Sequence, residues 1–171
     1  SMPVINNKNI KNIDAAVEER VCAIKAQGYD AVATTDQKYA EVKSGGKLRK
    51  IFHALMRRIS PGLILDKYNY SSIMNHFYSP SDKREDVYPQ LLAGWDRSPR
   101  SGRRAIIYYN NTPQTFEKAV IRAFDCVKDK DPEHRILFLN SWNEWGEGAY
   151  MEPDLKYGKG KLDILRTHLC K

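Results

Sequence analysis

The sequence predicts an α/β protein in which parallel strands alternate with helices. Short apolar runs, of which residues 105–109 and 136–139 are the clearest, have the length and composition of buried strands. Longer segments between such runs repeat apolar residues at helical spacing. Short polar loops join the two kinds of element, and this alternation is typical of a parallel sheet built from β/α units.

The first predicted element is a helix near the amino terminus. Its buried positions follow a helical repeat at Val17, Val21 and Ile24. Asp14 is expected to cap its beginning, and Gly28 stands where a left-handed residue would end it. A short apolar strand is predicted to follow at residues 30–34.

The second unit combines a helix and a strand. The apolar repeat from Leu48 to Ile59 predicts the helix, and Gly45-Gly46 before it is expected to be a loop. Ser60-Pro61-Gly62 ends the helix, and the run LILD at 63–66 is the candidate strand. Residues 70–77 are expected to form a short helix.

The third unit begins at VYPQLLAGW, residues 87–95, where Pro89 predicts an irregular or edge-like strand because proline has no N–H to donate. The run 105–109 is a further strand. Thr112 and Pro113 then supply an N-cap and a first-turn proline for a long helix. Its buried stripe is predicted to consist of Phe116, Val120, Phe124 and Val127.

The last unit contains the run ILFL at 136–139, expected to be a strand buried on both faces, and a helix from about Gly160 to Leu169. At 171 residues the chain is one domain by length, residues 1–171, and can bury roughly 70 % of its unfolded surface.

Composition narrows the classes of function. The chain is 42 % hydrophobic, and no apolar run approaches the ~18 residues of a membrane span, so a soluble protein is expected. The formal charge of +7 favours anionic partners. However, the densest basic cluster, at Arg97, Arg100, Arg103 and Arg104, lacks the aromatic residues of an RNA-binding motif, so nucleic acid is not the expected partner.

Metal and cofactor sites are not expected. The four histidines show no metal-ligand spacing, and no glycine-rich phosphate loop is present. The three cysteines, Cys22, Cys126 and Cys170, have no CxxC spacing, and their odd number fits a reduced compartment, which predicts a cytoplasmic location.

The stretch NSWNEWGEGAYMEPD, residues 140–154, follows the strongest predicted strand directly. Ligands of parallel α/β folds bind beyond the carboxyl ends of the strands, so this position favours function. Glu144 and Glu147 are three positions apart, and in a helical turn their carboxyls would lie roughly 5 to 6 Å from each other. Repulsion and apolar neighbours would then raise one pKa and leave one acid protonated.

The neighbours of this pair suit a carbohydrate site. The faces of Trp142 and Trp145 can stack on sugar rings, and the amides of Asn140 and Asn143 can hydrogen-bond hydroxyls. Glutamates at this spacing also occur on solvated helices, and tryptophans often only pack. Two Trp, two Asn, two Glu and two Gly within nine residues favour a functional interpretation.

A family resemblance rests on this motif. NSWNEWGEGAYMEPDLKYG resembles the carboxyl-terminal motif of the WbsX-type polysaccharide glycosyltransferases, which group with the glycoside hydrolase family 99-like domain. VYPQLLAGWDRSPRSGRRAIIYYNNTPQTFEKAV is similar to the preceding region of that family. Trp95, Asp96 and Arg100 fall on the family pattern, and Asp96 and Arg100 could hold a sugar hydroxyl or a diphosphate.

The resemblance implies a fold and residue roles. The family is expected to form a TIM-like (β/α)8 barrel of about twice this length, so the chain would be its carboxyl-terminal half, and it could pair with the missing half or as a homodimer. Glu147 would be the general acid/base, and Glu144 would deprotonate the sugar 2-hydroxyl, with net retention. A direct carboxylate nucleophile remains an alternative. Glu152 and Asp154 are expected to bind substrate or brace the loop.

The sequence therefore predicts a domain that acts on glycosidic bonds of an oligosaccharide or sugar-nucleotide substrate in bacterial surface-polysaccharide metabolism. Transfer and hydrolysis differ only in the acceptor, and both stay open, as does inactivity of the chain on its own. The alternative is a non-catalytic glycan-binding or assembly fragment of a larger barrel. A third and weaker alternative is nucleic-acid binding through the basic loop.

Overall fold

The computed structural model describes residues 12–59 and 65–169. Its helices are α1 (Ile13–Lys25), α2 (Gln37–Ile59), α3 (Tyr70–Asn75), α4 (Ser98–Ser101), α5 (Pro113–Val127) and α6 (Gly160–Leu169). Its strands are β1 (Val32–Thr34), β2 (Asp66–Asn69), β3 (Val87–Leu91), β4 (Ile106–Tyr109), β5 (Phe138–Leu139), β6 (Asn143–Glu144) and β7 (Ala149–Tyr150).

The strands form two parallel sheets and one antiparallel hairpin. β3 lies between β1 and β5 in a three-stranded parallel sheet, β2 pairs in parallel with β4, and β6 pairs with β7 as the hairpin. The predicted α/β class with parallel strands is therefore confirmed. A barrel portion is not confirmed, because successive strands of a (β/α)8 barrel are neighbours, whereas among residues 12–59 and 65–169 β2 pairs with neither β1 nor β3.

The main core lies around α5, which packs against α3, α6 and β3. Phe116 and Val120 of α5 are fully buried together with Tyr70, Ile73 and Phe77 from the region of α3. Thr112 caps α5, since its hydroxyl accepts a hydrogen bond from the Thr115 N–H at 3.3 Å, and Pro113 follows. The predicted beginning and most of the buried stripe of this helix are confirmed.

Two predictions about the first helices are wrong. Asn12, and not Asp14, caps α1, because the Asn12 side chain accepts a hydrogen bond from the Ala15 N–H. Asp14 lies in the first turn and pairs with Lys43 at 2.9 Å. The expected loop at Gly45-Gly46 is part of the helix α2, which runs without interruption from Gln37 to Ile59. Tertiary packing of α2 has outweighed the low helix propensity of glycine.

Two further predictions about the strands differ from the structure. The second strand begins at Asp66, so it overlaps the predicted range 63–66 by one residue, and positions 63–64 lie outside the described residues. β3 is central and not edge-like in the sheet. Pro89 is tolerated there because it faces the last residue of β1, Thr34, while pairing with β5 begins at Gln90.

The strand at 136–139 is shorter and more exposed than predicted. Only Phe138 and Leu139 pair, and Ile136 and Phe138 are 40 % and 46 % exposed. Within the described residues β5 is an edge strand that pairs with β3, which leaves one side of it uncovered. In the same ranges, no helix combines the length and apolar character that crossing a bilayer requires.

Candidate functional site

The glutamate-bearing loop is fixed to the carboxyl ends of the parallel strands. Asn140 directly follows β5, and its N–H donates to the Leu91 carbonyl at the end of β3, at 3.0 Å. The chain then forms the β6–β7 hairpin, whose ends are joined by a 3-10 turn at Trp145–Glu147 and by Gly148 in the left-handed conformation. Glu144 therefore lies immediately before the 3-10 turn, and Glu147 is the last residue of it.

Arg100 binds both glutamates with one guanidinium group. Nη2 lies 3.0 Å from Glu144 Oε1, and Nη1 lies 3.3 Å from Glu147 Oε1. The two carboxylates consequently face the same cation, which offsets their mutual repulsion. The Glu147 side chain is 15 % exposed and that of Glu144 is 36 % exposed, so Glu147 is the more enclosed acid.

A second arginine, Arg97, also pairs with Glu147, so two positive side chains face the two glutamates. Arg97 Nε lies 3.3 Å from Glu147 Oε1, the same oxygen that Arg100 contacts. This Nε is buried and its geometry does not make a hydrogen bond, so the contact is an ion pair. The Arg97 guanidinium also lies over the ring of Trp95, at 5.9 Å from its centroid. Two carboxylates and two guanidinium groups thus form one cluster.

Asp96 ties the arginine segment to the glutamate loop. Its backbone N–H donates to the Glu147 carbonyl at 2.6 Å, and its carboxylate accepts from the Ser98 N–H at 2.8 Å. The second contact is an Asx turn that begins α4, the short helix that carries Arg100. Asp96 therefore acts in this structure as a brace between two loops.

Beneath the loop, the buried Lys161 and the partly buried Asn111 share one carbonyl. Lys161 Nζ and Asn111 Nδ2 donate to the Ala93 carbonyl at 2.7 Å and 2.8 Å. Gly94, next in the chain, has no room for a side chain, because a Cβ would fall 2.4 Å from Asn111 Nδ2 and 2.5 Å from the Gly148 carbonyl oxygen. Burial lowers the pKa of Lys161 to about 8 against the attraction of Asp154.

The aromatic side chains form a partly exposed platform. Trp145 stacks on Tyr150 with ring centroids 3.7 Å apart and planes 12° from parallel. The indole N–H of Trp145 donates to Glu152 at 2.6 Å, and the Tyr150 hydroxyl donates to Asp154 at 3.2 Å. About half of the Trp145 surface remains exposed. Glu152 and Asp154 therefore hold the platform from its edge, as loop bracing requires.

The predicted site residues fall into three groups. Glu144, Glu147 and Arg100 share direct contacts, as do Trp145 and Glu152. The others stand around them on the same loops: Asn140 at the strand end, Trp142 and Asn143 exposed on the hairpin, Trp95 under Arg97, and Asp96 against Gly148.

Sequence reasoning missed Tyr150, Lys161 and Asn111. Tyr150 belongs to the quoted motif, and its place opposite Asn143 in the hairpin could have marked it as a cross-strand neighbour. Lys161 carries no sequence signal, since a lysine in the first turn of a helix is expected to be solvated. An open depression of about 620 Å³ lies at the other end of β5, lined by residues that include Phe124, Arg135 and Leu169, and none of the predicted site residues borders it.

The fold and the site define an α/β protein with an arginine-clamped glutamate pair and an aromatic platform at the strand ends. The chain belongs to the glycosyltransferase WbsX family, whose sequence model matches residues 3–165. Membership in this family indicates a carbohydrate-related function and confirms the resemblance stated for the motif.

Two curated relatives come from strains of Xanthomonas campestris pv. campestris, one of them strain B100, and each is described as an uncharacterized protein WxcX. Each is 29 % identical to the chain over 119 residues, which is 69 % of this chain and 17 % of the relative. The chain thus spans only about a sixth of the length of the curated relatives it matches. No solved structure matches it.

Proposed function

We propose that the chain acts on glycosidic bonds, with Glu144 and Glu147 as its catalytic acids. The observation that supports this most directly is the guanidinium of Arg100, which contacts one oxygen of each glutamate at 3.0 Å and 3.3 Å. Two carboxylates that reach one guanidinium are close enough to act on adjacent atoms of a single sugar ring.

The two acids differ in their surroundings, as different roles require. Glu147 is the more enclosed acid, and it suits proton transfer to the glycosidic oxygen as general acid. Glu144 is more open to solvent and suits removal of the proton from the sugar 2-hydroxyl. The freed oxygen O2 attacks C1, the bond from C1 to the leaving oxygen breaks, and Glu147 gives that oxygen its proton.

The second step returns the enzyme to its starting state. Glu147, now ionised, removes the proton of a water molecule or of an acceptor hydroxyl, whose oxygen attacks C1. The bond from C1 to O2 breaks, and O2 takes back its proton from Glu144. Water gives hydrolysis and an acceptor sugar gives transfer, with retention in both cases. For this chemistry Arg100 has to release both carboxylates, and Arg97 has to release Glu147, when a substrate enters.

The experiment replaces Glu144 and Glu147 separately by glutamine in the longest native form of the protein. Turnover is measured on mannose-type oligosaccharides and on sugar nucleotides with a glycan acceptor. Each substitution is expected to abolish turnover, because an amide neither gives nor takes a proton in these steps. Glu133→Gln is the matched control, since Glu133 is exposed in the turn Pro132–His134, before β5, whereas the motif follows β5. Unchanged turnover in both variants would remove the proposal.

A second candidate function is glycan binding without chemistry. The stacked Trp145–Tyr150 pair favours it, because a half-exposed aromatic face can bind a sugar ring whether or not the acids act. Calorimetry with the same oligosaccharides separates the two functions. Binding without turnover in the longest native form supports the binding function.

The wider setting is also part of the proposal. The family resemblance implies a role in bacterial surface-polysaccharide metabolism and a (β/α)8 barrel completed by further chain or by a second copy. The cysteine pattern is the basis for a cytoplasmic location. Parallel strands and a site at their carboxyl ends support the barrel.

A further inference from the structure

The two arginines of the candidate site are held by the proposed catalytic acids. Arg100 lies 3.0 Å from Glu144 and 3.3 Å from Glu147, and Arg97 lies 3.3 Å from the same Glu147 oxygen. Within the described residues these three contacts are the only ion pairs of either arginine. The Arg97 side chain is 42 % exposed and that of Arg100 is 55 % exposed, so a ligand can reach both.

The proposed reaction requires these contacts to break. Glu147 has to carry a proton to act as general acid, and Glu144 has to reach the sugar 2-hydroxyl. With that proton in place, the two arginines and the two glutamates carry two positive charges and one negative charge. Under the proposed function, on which this inference rests, the guanidinium groups therefore need a new anionic partner.

The other carboxylates of these loops are already engaged. Asp96 accepts a hydrogen bond from the Ser98 N–H at 2.8 Å, and Glu152 accepts one from the indole N–H of Trp145 at 2.6 Å. Asp154 accepts from two backbone N–H groups of the turn that follows it. We therefore expect the new partner of the arginines to arrive with the substrate.

Two further arginines directly follow the helix α4 that carries Arg100. Arg103 and Arg104 lie in the 3-10 helix Gly102–Arg104, and both are exposed. Neither pairs with an acid in the part of the chain that the structure describes. Residues 97–104 contain four arginines and no Asp or Glu. The segment thus presents free cations to an anionic ligand that approaches Arg100.

We propose that the substrate is an acidic glycan, with a uronic acid at or next to the bond that is cleaved. The carboxylate of the uronic acid takes the place of the glutamates on Arg97 and Arg100, and this exchange frees Glu144 and Glu147 to act on the sugar. A planar carboxylate matches the paired N–H donors of a guanidinium group. The glutamate carboxylates that now occupy the arginines have the same chemistry as the group that replaces them.

Two other substrates fit this arrangement less well. The diphosphate of a sugar nucleotide could bind the arginines, but it leaves C1 as a stable anion and needs no proton, so Glu147 would have no part as general acid. A neutral glycan brings no anion, so the guanidinium groups would stay on the glutamates or lose their partners.

The experiment is titration calorimetry of the longest native form of the protein with matched pairs of glycans. Oligosaccharides of mannuronate, glucuronate and galacturonate are each compared with their carboxyl-reduced forms, in which every linkage is kept and each carboxylate is replaced by a primary alcohol. At low salt at least one acidic glycan is expected to bind roughly fivefold to tenfold more tightly than its neutral form, because its carboxylate forms charge-assisted hydrogen bonds with the arginines.

The ratio of the two affinities also identifies the residue responsible. Arg100→Gln should reduce the preference for the acidic form to about twofold or less, whereas loss of a merely structural contact would weaken both glycans together. Arg100→Lys keeps the charge and loses the fork, so its preference should lie between those of the parent and Arg100→Gln. Arg122→Gln is the matched control, because it removes one positive charge from an exposed position on α5 and should leave the ratio unchanged.

Equal affinity for every acidic glycan and its reduced form would overturn the proposal, as would a preference that Arg100→Gln leaves intact. Binding of GDP-mannose that Arg100→Gln weakens, together with no binding of any uronate, would overturn it in favour of a diphosphate. Turnover of neutral glycans that depends on Glu147, without an acidic preference, would remove this inference and leave the proposed function in place. An acidic preference without turnover of any glycan would instead remove the catalytic roles and leave an arginine site for acidic glycans.

Discussion

Gly148 lies directly against the backbone of Asp96. A Cβ at position 148 would fall 3.0 Å from both the Asp96 nitrogen and the Asp96 Cβ, and Gly148 has a φ of +61°. We therefore expect Gly148→Ala to destabilise the chain by about 1–3 kcal/mol, through backbone strain and displacement of the glutamate loop. Denaturant unfolding measures the change.

Gly158→Ala is the matched comparison, because Gly158 has a φ of +55° and, apart from its chain neighbours, no atom of the described residues lies within 4 Å of the place that its Cβ would take. The Gly158→Ala variant has the backbone strain of a positive φ without the contact with Asp96, so it should lower the free energy of unfolding by less than Gly148→Ala does. Equal losses for both variants would mean that Asp96 and Gly148 do not press against each other in solution.

The contact of Arg100 with both glutamates predicts coupled stabilities. Arg100→Gln should lower the free energy of unfolding by no more than about 1 kcal/mol, because the arginine is half exposed. The loss should shrink when Glu144 is also replaced by glutamine, since less repulsion remains to be offset. Arg103→Gln, on the same exposed segment, serves as control. If Arg100→Gln lowers the free energy of unfolding by the same amount in the Glu144→Gln background, then Arg100 does not bridge the two glutamates in solution.

The stack of Trp145 on Tyr150 predicts the behaviour of the platform. Tyr150→Ala should weaken glycan binding roughly threefold to tenfold, because Trp145 loses the ring that holds it in place. Tyr150→Phe keeps the ring and loses only the hydroxyl contact with Asp154, so it should bind almost as the parent does. Calorimetry distinguishes the variants, and identical affinities for all three would exclude Tyr150 from the platform.

Asp36 and Asp82 predict the dependence of stability on pH. Burial, followed by the charge of Asp82, raises the pKa of Asp36 to about 7 against the attraction of Arg20, and burial also raises the pKa of Asp82. Ser79 and Thr34 donate hydrogen bonds to this pair, and Lys130 faces it with a positive charge.

Because the folded state keeps a proton that the unfolded state loses near pH 4, the free energy of unfolding should fall as pH rises from about 4 to about 7. One proton accounts for at most about 1.4 kcal/mol per pH unit. In Asp36→Asn this fall should be smaller, so the variant should be the more stable protein at pH 8. Asp129→Asn, at an exposed position, is the control, and equal pH slopes for Asp36→Asn and the parent would contradict the assignment.

Local signals in the sequence predicted much of the fold. Thr112-Pro113 located the beginning of α5, and the apolar run after Ala105 located β4, because caps and buried strands depend on adjacent residues. The pairing order of the strands could not be predicted in this way. It depends on contacts between residues far apart in the chain, such as Val32 with Val87.

In the candidate site, too, features set by adjacent residues were predictable and features set by distant contacts were not. The dense motif at 140–154 made Glu144 and Glu147 candidates, and the strand before it predicted that they would lie beyond the carboxyl end of a strand. The role of Arg100 as a clamp was not predictable, because Arg100 is 44 residues from Glu144 in the chain and only the tertiary fold brings the two together. Lys161 was missed for a similar reason, since only its tertiary contacts bury it.

The most direct test of the proposed acid pair compares two substrates of different leaving-group ability. In the presence of azide, which attacks C1 without the help of a base, Glu147→Gln should lose turnover of a natural oligosaccharide and keep much of its turnover of an activated aryl glycoside, because a good leaving group needs no proton. Glu144→Gln should lose both, since the 2-hydroxyl still has to be deprotonated. Loss of turnover by Glu147→Gln to the same extent on both substrates would contradict its role as the acid.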